Sequence, residues 1–160
     1  MNRKPAIFGA VVAIAVAAWL FLGPSPEEQV RRHIRAMAED FNAGRTGPCS
    51  QGLSEDYRET TVGVDRQEIR GYLASLALPD LTQSKPFRYR VTLPEEFDVT
   101  IDPEDAKKAT TEFIAVFGEL SKEEWRDRWN VRISAEVVKI DGDWKVRRSS
   151  HETLKGSPMR

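Results

Sequence analysis

Hydrophobic and polar residues follow three different patterns along this chain, and the changes between them indicate its organisation. An unbroken apolar run comes first, two stretches with the 3.6-residue spacing of amphipathic helices follow, and strict alternation begins near Phe87. Helical spacing followed by a period of two predicts a single α+β domain whose helices precede its strands.

The apolar run extends from Ala6 to Leu22, at the lower limit of about 17 residues for a helix that spans a bilayer. A signal peptidase requires small residues before its cleavage site, whereas this run ends with the bulky residues Trp19-Leu20-Phe21-Leu22. We therefore expect residues 1–24 to be an uncleaved membrane anchor rather than a cleaved signal peptide.

The charges beside the run predict its orientation. Arg3 and Lys4 precede it and Glu27 and Glu28 follow it, which favours a cytoplasmic N-terminus, although arginines at positions 31–35 oppose this. In a bacterial host the chain would be a single-pass inner-membrane protein with its soluble domain on the periplasmic, or extracytoplasmic, side.

Two strong helices are predicted after the anchor. The first begins at Ser25-Pro26-Glu27-Glu28, an N-cap followed by proline and a capping-box glutamate, and ends at Gly44. Its apolar stripe consists of Val30, Ile34, Met37, Ala38 and Phe41. Asp65 and Glu68 begin the second, which Pro79 is expected to end.

Between these helices, Gly47-Pro48 is expected to break the chain. The stretch from Cys49 to Asp56 then allows at most a turn or two of helix before Tyr57. The intervening segment is therefore predicted to contain at most one short helix.

Strands follow from Phe87 onward, and Ile140-Asp141-Gly142-Asp143 predicts a two-residue hairpin turn. Counting outward from that turn places Val137 opposite Val146, Ala135 opposite Arg148 and Ile133 opposite Ser150, all facing inward. Arg132 and His151 would then pair on the outer face. The domain is expected to span residues 25–152, with residues 153–160 as a flexible C-terminal tail.

The order of these elements resembles the nuclear transport factor 2-like superfamily, which includes SnoaL-like and ketosteroid-isomerase-like proteins. The resemblance covers about residues 27–152 and rests on Leu53–Tyr57, Asp65–Arg70 and Val137–Val146 together with the capped first helix. It implies a cone-shaped, curved antiparallel sheet packed against two or three N-terminal helices, here preceded by one transmembrane helix. The superfamily includes isomerases, dehydratases and transport adaptors, so the fold does not assign a function.

Composition excludes several classes of function. The net charge of −1 arises from 24 basic and 25 acidic residues spread along the chain, so nucleic acid is not an expected partner. The single cysteine, Cys49, cannot form an internal disulfide, and no Cys and His spacing of a zinc site occurs. Neither a metal site nor a cofactor is expected.

Inside such a cone, a small ligand would meet side chains from the helices and the last two strands. The predicted ligand-binding residues are Tyr57, Tyr72, Trp129, Arg148 and Ser150. Arg148 can bind an anion but stays protonated, and the other inward positions are almost wholly apolar, so no catalytic residue is predicted. Simpler interpretations are that Trp129 packs in the core and that Arg148 reaches the rim.

The favoured function is therefore a non-catalytic, membrane-anchored module for a small amphipathic or anionic ligand or a protein partner. The alternative is an isomerase- or dehydratase-type enzyme for a small hydrophobic substrate, with an acid such as Asp40 or Asp56 and with Tyr57 or Tyr72 as donor. A third hypothesis is an interaction role, such as homodimerisation through the open face of the sheet.

Overall fold

The computed structural model describes residues 23–159. Its helices are α1 (Pro26–Asn42), α2 (Thr46–Gln51) and α3 (Arg66–Thr82). Its strands are β1 (Leu53–Glu59), β2 (Val64–Asp65), β3 (Tyr89–Thr92), β4 (Asp98–Ile101), β5 (Lys108–Ser121), β6 (Glu124–Ile140) and β7 (Asp143–Gly156). The predicted α+β class is confirmed.

The strands form one seven-stranded sheet in the order β2-β1-β7-β6-β5-β3, with β4 also paired to β5. All pairings are antiparallel except that of β1 with β7, which is parallel. The sequence pattern did not indicate β1, because Leu53–Glu59 lacks the alternation of the later strands. Pairing with β7 makes it a strand.

The helices begin where the capping residues predicted. The Ser25 side chain accepts a hydrogen bond from the Glu28 backbone N–H, and Asp65 and Glu68 form the two reciprocal bonds of a capping box. Val30, Ile34 and Phe41 from the predicted stripe of α1 are buried against the concave face of the sheet. The amphipathic pattern therefore predicted correctly which face of α1 packs against the sheet.

Two prolines do not act as the sequence pattern suggested. Pro48 lies within α2, which begins at Thr46, because a residue in the first helical turn needs no backbone N–H. Pro79 lies inside α3, which continues to Thr82. Beyond Pro79, the buried Asp80 carboxylate accepts hydrogen bonds from the backbone and side chain of Arg88, holding this last turn against the start of β3.

The last hairpin follows the predicted register only near its turn. Ile140 pairs with Asp143 and Val137 with Val146, as expected, but a bulge at Arg147 then shifts the pairing by one residue. Ala135 consequently pairs with Ser149 and Ile133 with His151.

The predicted orientations of the side chains beyond the bulge, with Arg148 and Ser150 inward and His151 outward, are therefore wrong. Ser149 and His151 occupy inward positions, whereas Arg148 pairs with Glu136 and Ser150 pairs with Ser134 on the outer face. An extra residue reverses which side of the strand each later side chain occupies.

The ends of the chain differ in what the structure describes. The predicted anchor lies almost wholly outside the described residues, and within residues 23–159 no helix is long and apolar enough to cross a membrane. At the other end, β7 continues to Gly156, beyond the predicted domain boundary at residue 152, and Met159 is buried.

Candidate functional site

A cavity of about 260 Å³ lies between the concave face of the sheet and the helices. The C-terminal half of α1 contributes Met37 and Phe41, and β6 contributes Trp129, Ile133 and Ala135. The volume is slightly below the usual range of roughly 300–1,000 Å³ for small-molecule pockets. The cavity therefore suits a compact molecule of one or two rings.

The lining is almost entirely apolar. Of the residues that the structure describes, none with a charged side chain lines the cavity, and the hydroxyl groups come from Tyr57, Tyr72 and Ser149. An ionised ligand group would lose its hydration here without a compensating charge, which is unfavourable by several kcal/mol in general. The cavity thus favours a neutral ligand.

The hydroxyl groups of Tyr57 and Ser149 form a small polar patch on one wall of the cavity. Their oxygen atoms are 2.7 Å apart across the parallel β1–β7 pairing, and Tyr57 is 5% exposed. Burial raises the pKa of Tyr57. The hydrogen bond with Ser149 lowers this pKa, and the negative charge of nearby Glu59 raises it. The phenol therefore stays protonated and can donate to a ligand oxygen.

Glu59 and His151 form a second polar pair beside the first. The Glu59 Oε1 atom is 2.9 Å from Nδ1 of His151, and the Glu59 side chain is 8% exposed. Burial alone would raise the pKa of Glu59, but hydrogen bonds from Val62, Thr61 and His151 outweigh it and lower the pKa. A buried carboxylate that fixes one ring nitrogen of a histidine is an arrangement typical of general bases.

The ring of His151 contacts Trp129, which lies between it and the cavity. The two rings meet edge to face with centroids 5.3 Å apart, and Trp129 also stacks on Phe117 at 5.3 Å. Trp129 lines the cavity, whereas His151 lies behind it and does not. The histidine is therefore adjacent to a ligand space but separated from it by one aromatic side chain.

The C-terminal segment closes part of the cavity. After Gly156 the chain turns back, and the Met159 side chain lies among the cavity-lining residues at 6% exposure. The Tyr72 hydroxyl donates a hydrogen bond of 2.7 Å to the Met159 carbonyl. Burial raises the pKa of Tyr72, so this donor keeps its proton.

The predicted site residues divide into two groups. Tyr57, Tyr72 and Trp129 come together at the cavity, and ligand binding by them stays a prediction. Arg148 and Ser150 line a hydroxyl-rich depression on the outer face, because of the bulge in β7, and Ala135 and Ser149 border both this depression and the cavity. Arg148 therefore offers no charge to a ligand in the cavity.

Sequence reasoning missed Glu59, Ser149, His151 and Met159. Glu59 lies on a strand that the pattern did not indicate, and Ser149 and His151 required knowledge of the bulge. No pattern in the last strand indicated Ser149 or His151, because every residue from 147 to 153 is polar. Within residues 23–159 no cluster of three potential metal ligands occurs.

Comparisons with known proteins assign a fold. No protein-family model matches the chain, and no curated protein matches it. Among solved structures, an NTF2-like protein with a cystatin-like fold from Novosphingobium aromaticivorans is similar, with 18% identity, a TM-score of 0.66 and coverage of 89% of this chain and 90% of that one.

Two further structures are similar at the same level. An uncharacterised protein with a cystatin-like fold from Caulobacter vibrioides has 13% identity and a TM-score of 0.60, covering 82% of this chain and 92% of that one. A Novosphingobium aromaticivorans protein provisionally named an aromatic ring hydroxylase has 16% identity and a TM-score of 0.60, covering 79% and 87%. The chain therefore has a mixed α+β, NTF2-like fold. At these sequence identities the similarity shows the fold and not the function.

Proposed function

We propose that this protein binds a small, neutral, largely apolar molecule with one polar group in the cavity of its cone, without transforming it. The supporting observation is the cavity itself: an apolar space with the Tyr57 and Ser149 hydroxyls together on one wall. The apolar part of a ligand would displace water from that space, and its polar group would hydrogen bond to the tyrosine. The outward position of Arg148 removes the main reason to expect an anion.

Binding of 2-naphthol, which has two fused rings and one hydroxyl, tests this function. We expect the full chain to be stabilised against heat in proportion to the logarithm of the naphthol concentration above its Kd. Ala135→Phe would fill the cavity from β6 and abolish the shift, whereas Arg148→Ala would leave it intact. An equal shift in the filled variant would contradict binding in the cavity.

A membrane-anchored, extracytoplasmic location is part of this proposal. Gln29, in the first turn of α1, hydrogen bonds to Lys139 and Trp144 beside the tip of the β6–β7 hairpin. An anchor that precedes α1 would hold this packed end near the bilayer and leave the cavity, at the other end of α1, towards the solvent. Protease digestion of intact and permeabilised cells tests it: we expect the soluble domain to be cleaved in cells whose inner membrane is intact.

The pair of Glu59 and His151 favours a second candidate, an isomerase- or dehydratase-type enzyme. His151, oriented by Glu59, would take a proton from the carbon beside a carbonyl while Tyr57 hydrogen bonds to the carbonyl oxygen. Movement of Trp129 would be required, because that ring separates His151 from the cavity.

Deuterium exchange separates the two candidates. An enzyme of this type should speed the exchange of the α-hydrogens of 2-tetralone, a bicyclic ketone, in deuterated water, and His151→Gln should remove that acceleration. Binding of 2-tetralone without faster exchange would favour the non-catalytic module.

A further inference from the structure

The segment Ser157–Met159, here called the tail segment, places the Met159 side chain in the ligand cavity. The end of the cone at which it does so is called the open end. Ser157 and Pro158 are exposed, whereas Met159 is 6% exposed and lies among the cavity-lining residues. A methionine side chain is apolar and flexible, so it can fill an irregular apolar space as a ligand would.

The turn that sends this segment inward requires glycine. Gly156 has a φ angle of +78°, and a Cβ atom at that position would lie 1.9 Å from the carbonyl oxygen of Arg128. The next residue, Ser157, donates its backbone N–H to the same carbonyl at 3.2 Å. The inward direction is therefore set by backbone contacts with β6 before Met159 reaches the cavity.

Inside the mouth, a single polar contact holds the end of the segment. The Tyr72 hydroxyl donates to the Met159 carbonyl at 2.7 Å, and Tyr72 is itself 39% exposed. One hydrogen bond and one buried side chain stabilise the closed arrangement modestly, because such contacts contribute little net free energy each. Release of the segment would break neither a strand pairing nor the packed end of the core.

We propose that the tail segment is an internal lid that competes with the ligand, so that Met159 leaves the cavity when a ligand enters. The inference rests on the proposed binding function. If the lid is closed in about nine molecules of ten, its removal should raise the apparent affinity about tenfold, since only the open fraction binds.

Methyl NMR of the full chain in lipid nanodiscs tests the proposal. The sequence has three methionines, and both Met37 and Met159 line the cavity. With carbon-13 in the methionine methyl groups and 2-naphthol as the probe, Met37 reports occupancy and Met159 reports the lid. The lid predicts that the Met37 signal shifts while its side chain stays partly buried at the cavity, and that the Met159 signal moves to the sharp position of an exposed methionine.

A chain that ends at Gly156 gives the second measurement. We expect Met37 to titrate with about tenfold tighter apparent affinity than in the full chain, and Met159→Ala should give a smaller gain in the same direction. Tyr72→Phe should tighten binding in the full chain relative to its effect in the shortened one, and the difference between the two effects separates its contact with the lid from any contact with the probe.

The possible failures are distinguishable. Binding of equal affinity in the two chains, with Met159 buried throughout, would overturn the lid and leave the binding function standing. Absence of a Met37 shift in both chains would overturn the binding function and the lid together.

Discussion

The two ends of the cone are stabilised in different ways. At the end where α1 begins, Val30 and Val137 are fully buried and Trp144 is 5% exposed, so the contacts there are mainly apolar packing. At the open end, discrete polar contacts join elements around the cavity: Asp80 with Arg88, Glu59 with His151, and Tyr72 with the Met159 carbonyl. Stability and ligand access therefore reside in different parts of one small domain.

The physical reason lies in what each kind of contact allows. Close packing leaves no space for a ligand, and removal of its side chains creates cavities that the structure refills only in part. Directional hydrogen bonds can instead hold strands and helices around an open space. We therefore expect substitutions at the packed end to reduce stability most and substitutions at the open end to affect the cavity.

The largest effect should come from Trp144→Ala at the packed end. Loss of this buried side chain should lower the free energy of unfolding by about 3–5 kcal/mol, the usual range for a buried aromatic residue. Urea unfolding followed by circular dichroism measures it. Trp125→Ala is the matched control, because Trp125 is 39% exposed, and a similar loss in both variants would contradict the assignment.

Asp80→Ala at the open end should have the next largest effect. It removes a carboxylate that is 2% exposed and leaves Arg88 without its partner. We expect a loss of about 2 kcal/mol, less than for a fully buried ion pair because the Arg88 side chain is partly in water. Urea unfolding at neutral pH checks this value, and a loss above that of Trp144→Ala would reverse the proposed ranking of the two ends.

The same ion pair predicts a pH dependence. Hydrogen bonding and the charge of Arg88 lower the pKa of Asp80 in the folded protein below its ordinary value of 3.8. The pair therefore stabilises the fold above pH 3.8, and this contribution is lost as the pH falls below that value towards the lowered pKa. In Asp80→Asn, the unfolding free energy should change less steeply with pH in this range than in the parent chain.

Tyr57→Phe should have a smaller effect on stability and a clear one on binding. It removes the hydroxyl bonded to Ser149 and should cost about 1 kcal/mol in the free energy of unfolding. The shape of the cavity is kept, so naphthalene should bind as before while 2-naphthol binds more weakly. Thermal shifts with the two probes measure the difference, and equal weakening for both would indicate a structural role.

The smallest effect is expected for Arg148→Ala on the outer face. Arg148 is exposed and pairs across the strands with Glu136, so the unfolding free energy should change by less than about 0.5 kcal/mol. Binding of 2-naphthol should not change. A marked loss of binding would mean that the outer depression, and not the cavity, holds the ligand.

Elements whose causes are local could be predicted from the order of the amino acids. The caps at Ser25 and Asp65, the apolar stripe of α1 and the Asp141-Gly142 turn depend on residues within a few positions of one another. Tyr72 and Trp129 could also be named as cavity candidates, because they lie on the predicted apolar faces of a helix and a strand that meet in the interior of a cone. Tyr57 was named without the strand on which it lies.

The polar chemistry at the cavity depends on contacts between segments that are far apart in the chain. The bulge at Arg147 lies where β7 must pair with β6 on one side and with the distant β1 on the other, and it moves Ser149 and His151 inward. The return of Met159 likewise depends on contacts with β6 and α3. Such features arise from the closure of a curved sheet between segments far apart in the chain, so no local pattern encodes them.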